Sequence, residues 1–227
     1  MTTVETRSIA LQGLDARLIR VTATAVPQAG TFQIQGISEA SARECRLRVR
    51  TALQRIGVDV DARGVAVQIA HAELANNGPF DVAVAVAVLG AWGKLKPSAL
   101  KEAVFLGALS LEGAIRSVRG VLPALRGASA LGVSLAILPM ANTREAVCEP
   151  DVGALAVAHL RELVRYLDEG APLVEVGHRP SFETKPATGD ADLGELRGLS
   201  AGRRADRKSG SAGMPRPNLL SRMPSSA

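Results

Sequence analysis

The sequence is poor in the side chains that usually build large cores, disulfide frameworks and metal sites. Of its 227 residues only 3% are aromatic, two are cysteine and three are histidine. Alanine, valine and leucine must therefore fill the core, although each buries less area than Phe or Trp. Two cysteines, Cys45 and Cys148, make no disulfide framework, so we expect reduced thiols. His71, His159 and His178 are spaced unlike metal ligands, and the sequence predicts no bound metal.

Long apolar runs and a leader segment are also missing. The longest apolar run, 82–92, is far shorter than the ~18 residues of a membrane-spanning helix. The first ten residues lack the basic and then apolar pattern of a secretory signal. We therefore expect a cytoplasmic protein that makes no membrane contact.

The net charge of +5 is unevenly distributed. From Arg179 to the end, nine Lys/Arg oppose five Asp/Glu, whereas the rest of the chain has 18 basic and 17 acidic residues. The near-neutral part of the chain before Arg179 lacks the basic surface that is typical of nucleic-acid-binding domains. The last 49 residues also hold six Gly, seven Ser and five Pro, and such a composition buries too little to offset about 1–2 kcal/mol of backbone entropy per residue. We predict a domain over 1–175 and a disordered basic tail over 176–227, which could contact DNA weakly or simply be solvated.

The body of the chain predicts alternating strands and helices. Strands are predicted at 3–11, 16–26, 31–37, 64–70, 104–109, 114–118, 133–138 and 154–158, and helices at 39–56, within 76–94, and at 121–131, 142–147 and 159–167. Pro27 and Gly30 lie between the second and third strands, which predicts a hairpin there. Glu112 and Gly113 predict a second hairpin.

The helix at 39–56 has both of its end signals. Ser38 is a favourable N-cap, apolar residues recur every three or four positions, and Gly57 follows as a stop. Its arginines lie mostly on the other side, where they predict a solvated face rather than a binding patch. These are Arg43, Arg46, Arg48 and Arg50.

The run at 82–92 alternates like a strand but is continuously apolar, so periodicity alone does not decide it. Gly78 and Pro79 place a proline at a first helical position, and Asp81 follows in the first turn. These signals and its length favour a buried helix.

Two stretches resemble the C-terminal half of the Lon proteolytic domain. One is Gly78-Pro79-Phe80-Asp81 leading into the apolar helix. The other is FLGALSLEGAIRSVRGVLPALRGASALG at 105–132, followed by VSLAILPMANTREA at 133–146. The first half of the chain, with LQGLDA at 11–16 and FQIQGISEASARECRLRVRTAL at 32–53, is closer to the ComM/YifB family of Mg-chelatase-like AAA+ proteins. The resemblance covers roughly residues 5 to 170. It implies an α/β Lon-protease-like domain of two layers with a mixed sheet, as also found in ribosomal proteins.

The resemblance further implies that the domain is not a peptidase. Lon-type catalysis pairs a serine, directly after the glycine-proline turn, with a lysine on the later helix. Phe80 and Leu122 stand at those positions, and neither side chain can attack a carbonyl or accept a proton. Arg119 and Arg126 do not replace the lysine, because a guanidinium stays protonated.

A phosphate-binding loop is not recognisable either. The G-x-x-x-x-G-K-[ST] pattern cradles phosphates, but Gly93-Lys94 lacks both the first glycine and the hydroxyl residue. Residues 192–205 faintly resemble the segment that leads into the family's ATPase domain. ATP and Mg²⁺ would belong to that domain, which we expect to be missing here, through truncation or frame shift or because this is a stand-alone variant. We predict no cofactor for this chain.

Two short motif matches have ordinary explanations. G-x-S-x-G at 198–202 lies in the tail without the strand and helix that a nucleophile elbow needs. Ser98 and Lys101 have S-x-x-K spacing but read as solvated polar residues. We therefore expect a binding or assembly module, within an AAA+ ring or a homo-oligomer, which the resemblance associates with DNA uptake or recombination. The alternatives are a hydrolase with an unrecognised site and a nucleic-acid binder that uses its tail.

Overall fold

The computed structural model describes residues 2–70, 80–96, 100 and 103–177. Its strands are β1 (Thr3–Gln12), β2 (Asp15–Val26), β3 (Phe32–Gln35), β4 (Gly64–Ile69), β5 (Ala103–Phe105), β6 (Ala108–Leu109), β7 (Ile115–Arg116), β8 (Leu135–Pro139), β9 (Gly153–Val157) and β10 (Val174–Glu175). Its α-helices are α1 (Glu39–Arg55), α2 (Asp81–Ala91), α3 (Val121–Ala130), α4 (Thr143–Ala146) and α5 (Leu160–Glu169). No helix within these ranges is long and apolar enough to cross a membrane.

Eight strands form one mixed sheet in the order β10-β9-β8-β5-β1-β2-β4-β3, and β6 and β7 form a separate hairpin. Strands β1, β5, β8 and β9 run parallel, β2 is antiparallel to both of its neighbours, and β3 is parallel to β4. The predicted α/β class with a mixed sheet is therefore confirmed.

The predicted hairpin between β2 and β3 is wrong, because β4 lies between them and pairs with both. Strands β3 and β4 are parallel, and α1 makes the crossover that a parallel pair requires. The loop at 27–30 correctly indicates where β2 ends, but it does not indicate which strand β3 pairs with.

Helix α1 begins and ends as predicted. The Ser38 hydroxyl accepts a hydrogen bond from the Ser41 backbone N–H at 3.2 Å, which satisfies one of the unpaired donors at the helix start. Ala42, Cys45 and Val49 are buried on one face. The helix ends before Gly57, whose φ of +89° is readily adopted only by glycine.

Helix α2 is buried along its whole length, as predicted, with all residues of Asp81–Ala91 inaccessible to solvent. It begins after Phe80, so Asp81 and not Pro79 holds the first helical position. Pro79 itself lies outside the described residues. Two side chains of β1 meet the buried backbone nearby: the Thr6 hydroxyl donates to the Ala83 carbonyl at 2.9 Å, and the Ser8 hydroxyl donates to the Phe105 carbonyl at 2.8 Å.

Helices cover both faces of the sheet, which is more than the two layers we expected. Alternate residues of β2, such as Ile19 and Val21, join one apolar cluster with residues of α1, α2 and α5. Leu18 packs against a second cluster that includes residues of α3 and α4. Because successive side chains of a strand point to opposite faces, these two clusters lie on opposite sides of the sheet.

A glycine allows α3 to approach β2 closely. A Cβ atom at Gly127 would lie 2.0 Å from the Cβ atom of Ala16. Any larger residue at position 127 would push the helix away from the sheet. The start of α3 also lies against β1, because a Cβ atom at Gly120 would lie 2.5 Å from a methyl group of Leu11.

Candidate functional site

The four parallel strands end at one edge of the sheet, which we call the carboxyl edge. The β1–β2 turn follows β1, the β6–β7 hairpin and the start of α3 follow β5, and α4 follows β8. The residue at the start of α5, His159, follows β9. Open α/β sheets usually place their ligand sites at this edge. It also contains the starts of α2 and α3, next to which Phe80 and Leu122 are found.

A buried asparagine ties the end of β8 to the start of α3. The Asn142 side chain accepts from the Val118 N–H at 3.0 Å and donates to the Val118 carbonyl at 2.8 Å. It also donates to Glu145 Oε1 at 2.7 Å, and Glu145 Oε2 accepts from the Leu122 N–H at 3.4 Å. The Glu145 carboxylate thus sits at the start of α3, where the helix dipole stabilises negative charge. These bonds fix the backbone between β8 and α3 and engage both the Asn142 and the Glu145 side chain.

His159 links the end of β9 to the β6–β7 hairpin. Its Nδ1 accepts from the Arg161 N–H at 3.1 Å, which caps α5. The Nε2 atom lies 3.1 Å from the Glu112 carbonyl, so it is the nitrogen that donates. Both ring nitrogens are therefore occupied by backbone groups, and neither is available as a general base in this arrangement.

The carboxylate of Asp81 joins three elements at the start of α2. It accepts from Arg48 Nε at 2.7 Å, from Arg48 Nη2 at 3.1 Å and from the Leu109 N–H at 2.9 Å. Only 2% of the Asp81 side chain is exposed, whereas 34% of the Arg48 side chain is exposed. We call this arrangement the Asp81–Arg48 clamp. Two parallel charge-assisted bonds are strong and also orient both side chains. The clamp therefore fixes the positions of α1, α2 and β6 relative to one another.

The Asp81–Arg48 clamp lies beside the Cys45 thiol, which stays protonated. Burial raises the pKa of the Cys45 thiol far above its usual range, and the neighbouring Asp81 carboxylate raises it further. The hydrogen bond to Asp81 raises the pKa of Arg48 above its ordinary value. Cys45 therefore stays a neutral thiol, and Arg48 stays a cation that cannot accept a proton. The prediction that Arg48 belongs to a solvated face is wrong, because its partner is a buried carboxylate 33 residues along the chain.

Phe80 and Leu122 occupy different environments. Phe80 is 3% exposed and belongs to the cluster of α1, α2 and α5, whereas Leu122 is half-buried on α3. Val121, next to Leu122, belongs to the cluster on the other face of the sheet. The Phe80 side chain therefore serves packing. The equivalence of Phe80 and Leu122 to the serine and lysine of Lon stays a prediction.

Several predicted features lie outside the described residues. These are His71, His178, Ser98, Lys101, the G-x-S-x-G string at 198–202 and the basic tail from 178 onward. Within the described ranges, both cysteines are free and no group of three or more His, Cys, Asp or Glu side chains is arranged to hold a metal ion. Of the two arginines near the lysine position, Arg126 pairs with Glu149 at 3.4 Å.

Comparison with known proteins places this architecture in a family. The sequence profile described as subunit ChlI of Mg-chelatase matches residues 21–142, which is more than half of the chain. The chain belongs to the Mg-chelatase-like ComM/YifB family. The matched region runs from β2 to the turn after β8, so this family match includes the Asp81–Arg48 clamp, Phe80 and Leu122.

Three relatives illustrate the extent of the similarity to the ComM/YifB family. The competence protein ComM of Haemophilus influenzae is 29% identical over 87% of the chain, and an uncharacterized protein of Mycobacterium tuberculosis is 31% identical over 86%. The uncharacterized protein YifB of Salmonella typhimurium is 30% identical over 74%. The chain spans 39% of the length of the first two and 33% of the third. The resemblance to the ComM/YifB family is thereby confirmed, and the likeness to the Lon proteolytic domain stays a prediction.

Proposed function

We propose that this chain is a non-catalytic, Lon-like binding or assembly module of the ComM/YifB type. One observation carries the proposal: among the described residues, Asp81, Glu145 and His159, the candidate acid and base side chains at the carboxyl edge, are committed to structural bonds. Asp81 is held by Arg48 and a backbone N–H, Glu145 caps α3, and both nitrogens of His159 contact backbone groups. Nucleophilic catalysis needs a nucleophile within reach of a base, and Cys45 beside the clamp is a neutral, buried thiol.

The family context indicates what such a module would do. The longer relatives extend well beyond the matched region, and a module at one end of an AAA+ ring would act through assembly and access rather than through bond cleavage. One relative is named a competence protein, which supports a role in DNA uptake or recombination for this chain in the cytoplasm. ATP and Mg²⁺ would then act in the ATPase part of the longer proteins.

Two assays for hydrolytic activity test the proposal directly. The purified chain is incubated with fluorescent casein and separately with a fluorophosphonate probe for active serines, beside an active Lon-type protease as the positive control. We expect no cleavage and no label. Casein cleavage that survives a second purification step, or a label mapped to one serine of this chain, would favour the alternative of a hydrolase with an unrecognised site.

A second candidate function uses the C-terminal region. From Arg179 onward nine basic residues oppose five acidic ones, which supports weak, sequence-independent binding to phosphates. Such binding weakens steeply with salt because it releases counterions. Deleting residues 179–227 should then abolish it. Affinity for DNA that persists after the deletion would reject this candidate.

A further inference from the structure

Several arginines on elements at the carboxyl edge have no partner among the described residues. Within the part of the chain that the structure describes, four arginines near this edge make no side-chain hydrogen bond or ion pair. They are Arg17 at the start of β2, Arg116 in β7, Arg119 before α3 and Arg144 in α4. An arginine held in water needs no partner, but four of them along one edge attract negative charge.

Few carboxylates at this edge are free to balance them. Asp15 and Glu112 are exposed, and their carboxylates make no described hydrogen bond. Glu145 and Glu162 accept backbone N–H groups at the starts of α3 and α5, respectively. At a helix start the partial positive charge of the dipole offsets a carboxylate. Among the described residues of this edge, the groups available to a partner are therefore net positive.

The same edge exposes apolar side chains. Leu14 at the β1–β2 turn is 82% exposed, Leu111 at the β6–β7 turn is 48% exposed, and Met140 after β8 is 37% exposed. They are three of the six large apolar side chains that the described residues expose. Exposed apolar groups rimmed by charge are typical of protein-binding surfaces. The remaining three, Leu47, Leu131 and Val174, lie on separate elements.

We propose that the carboxyl edge docks an acidic polypeptide segment that also carries apolar side chains. The arginines would meet its carboxylates, and Leu14, Leu111 and Met140 would meet its apolar side chains. This inference rests on the proposed role as a binding module and names the chemistry of the partner.

The surface fits a polypeptide better than the other candidates. Proteins that hold single-stranded nucleic acid stack bases on exposed aromatic rings. The described aromatics are mostly buried, namely Phe32, Phe80, Trp92 and Phe105, and Leu or Met cannot take their place. The chain's own region from Arg179 onward is basic, so like charge disfavours it as the occupant.

Selection from a random peptide display library tests the proposal. The purified full chain is the bait, the twelve-residue peptides it retains are sequenced, and the three strongest are labelled for fluorescence anisotropy. We expect the selected peptides to combine an excess of Asp and Glu with Leu, Ile or Phe. Their affinity should fall as salt rises, since part of it is electrostatic.

Two matched variants locate the site. Leu111→Ser with Arg116→Glu alters the carboxyl edge, and Leu131→Ser with Arg43→Glu makes the same changes elsewhere. Leu111 and Leu131 are both 48% exposed, so the two variants remove equally accessible apolar side chains. We expect the edge variant to bind the peptides at least ~tenfold more weakly, because a reversed charge repels and an apolar anchor is lost. The control variant should stay within ~twofold of the parent chain.

Three results would overturn the proposal. These are a selection that yields no acidic-apolar consensus, equal effects of the two variants, and a fluorescent twenty-nucleotide oligo(dT) that binds more tightly than the peptides and loses affinity in the edge variant. None of these results bears on the hydrolysis assays, so a wrong partner chemistry and a wrong non-catalytic assignment are distinguishable.

Discussion

Replacing Arg48 with methionine should destabilise the domain by about 3 kcal/mol. The substitution keeps most of the aliphatic stem and removes the guanidinium, so the Asp81 carboxylate, 2% exposed, keeps only the Leu109 N–H and the Cys45 thiol as neighbours that can donate. Breaking a buried ion pair on one side costs about 3–5 kcal/mol, because the remaining charge is uncompensated. The Arg48 side chain is 34% exposed, so water can reach the vacated space. The lower end of that range therefore applies.

Urea unfolding followed by circular dichroism measures this loss. The matched control is Arg43→Met, an exposed arginine of the same helix, which we expect to change the free energy of unfolding by less than ~0.5 kcal/mol. Asp81→Asn in the Arg48→Met background should recover part of the stability, because the amide removes the buried charge and still accepts from Leu109. A loss below ~1 kcal/mol for Arg48→Met, with an unchanged urea dependence, would refute the reasoning that the clamp holds the domain together.

Two further outcomes are expected from the packing. In the native protein a thiol reagent should modify Cys148 within minutes and Cys45 only after unfolding, since burial and Asp81 raise the pKa of Cys45 and keep it a thiol; equal rates for the two thiols would contradict this. Gly127→Ala should destabilise by roughly 1–3 kcal/mol through overpacking against Ala16, although alanine is the better helix former. Adding Ala16→Gly should restore most of that stability, and unfolding curves that show no rescue would show that this contact is not the cause.

The sequence predicts the elements well and their partners poorly. The caps at Ser38 and Gly57, the buried run at 82–92 and the turn at Glu112-Gly113 are local signals, and the structure confirms the elements they delimit. The placement of β4 between β2 and β3 depends on pairing across more than thirty residues, which alternation does not encode. The short strand β10 at the edge of the sheet was missed, because two exposed residues leave no pattern.

For the candidate site, the sequence predicted mainly that the catalytic serine and lysine are missing. The assignment of Phe80 and Leu122 to the dyad positions follows from the glycine-proline turn and the later hairpin, and it stays a prediction. The clamp could not be predicted, because Asp81 satisfies the rule for an acidic first turn without any partner. Arg48 likewise satisfies the rule for a charged helix face, where it also pairs with Glu44 at 3.3 Å. Only the tertiary structure shows that the two side chains meet.

The pairing of β1 with β5 has a consequence for synthesis on the ribosome. Arg7 lies opposite Val104, so one edge of β1 has no partner strand until about a hundred residues have emerged. During that interval the β1–β2 hairpin exposes unpaired backbone groups beside an apolar face, which is a template for pairing with other nascent chains. Because contacts between residues so far apart in the sequence form slowly, this hairpin edge is a site where nascent chains of the domain can associate.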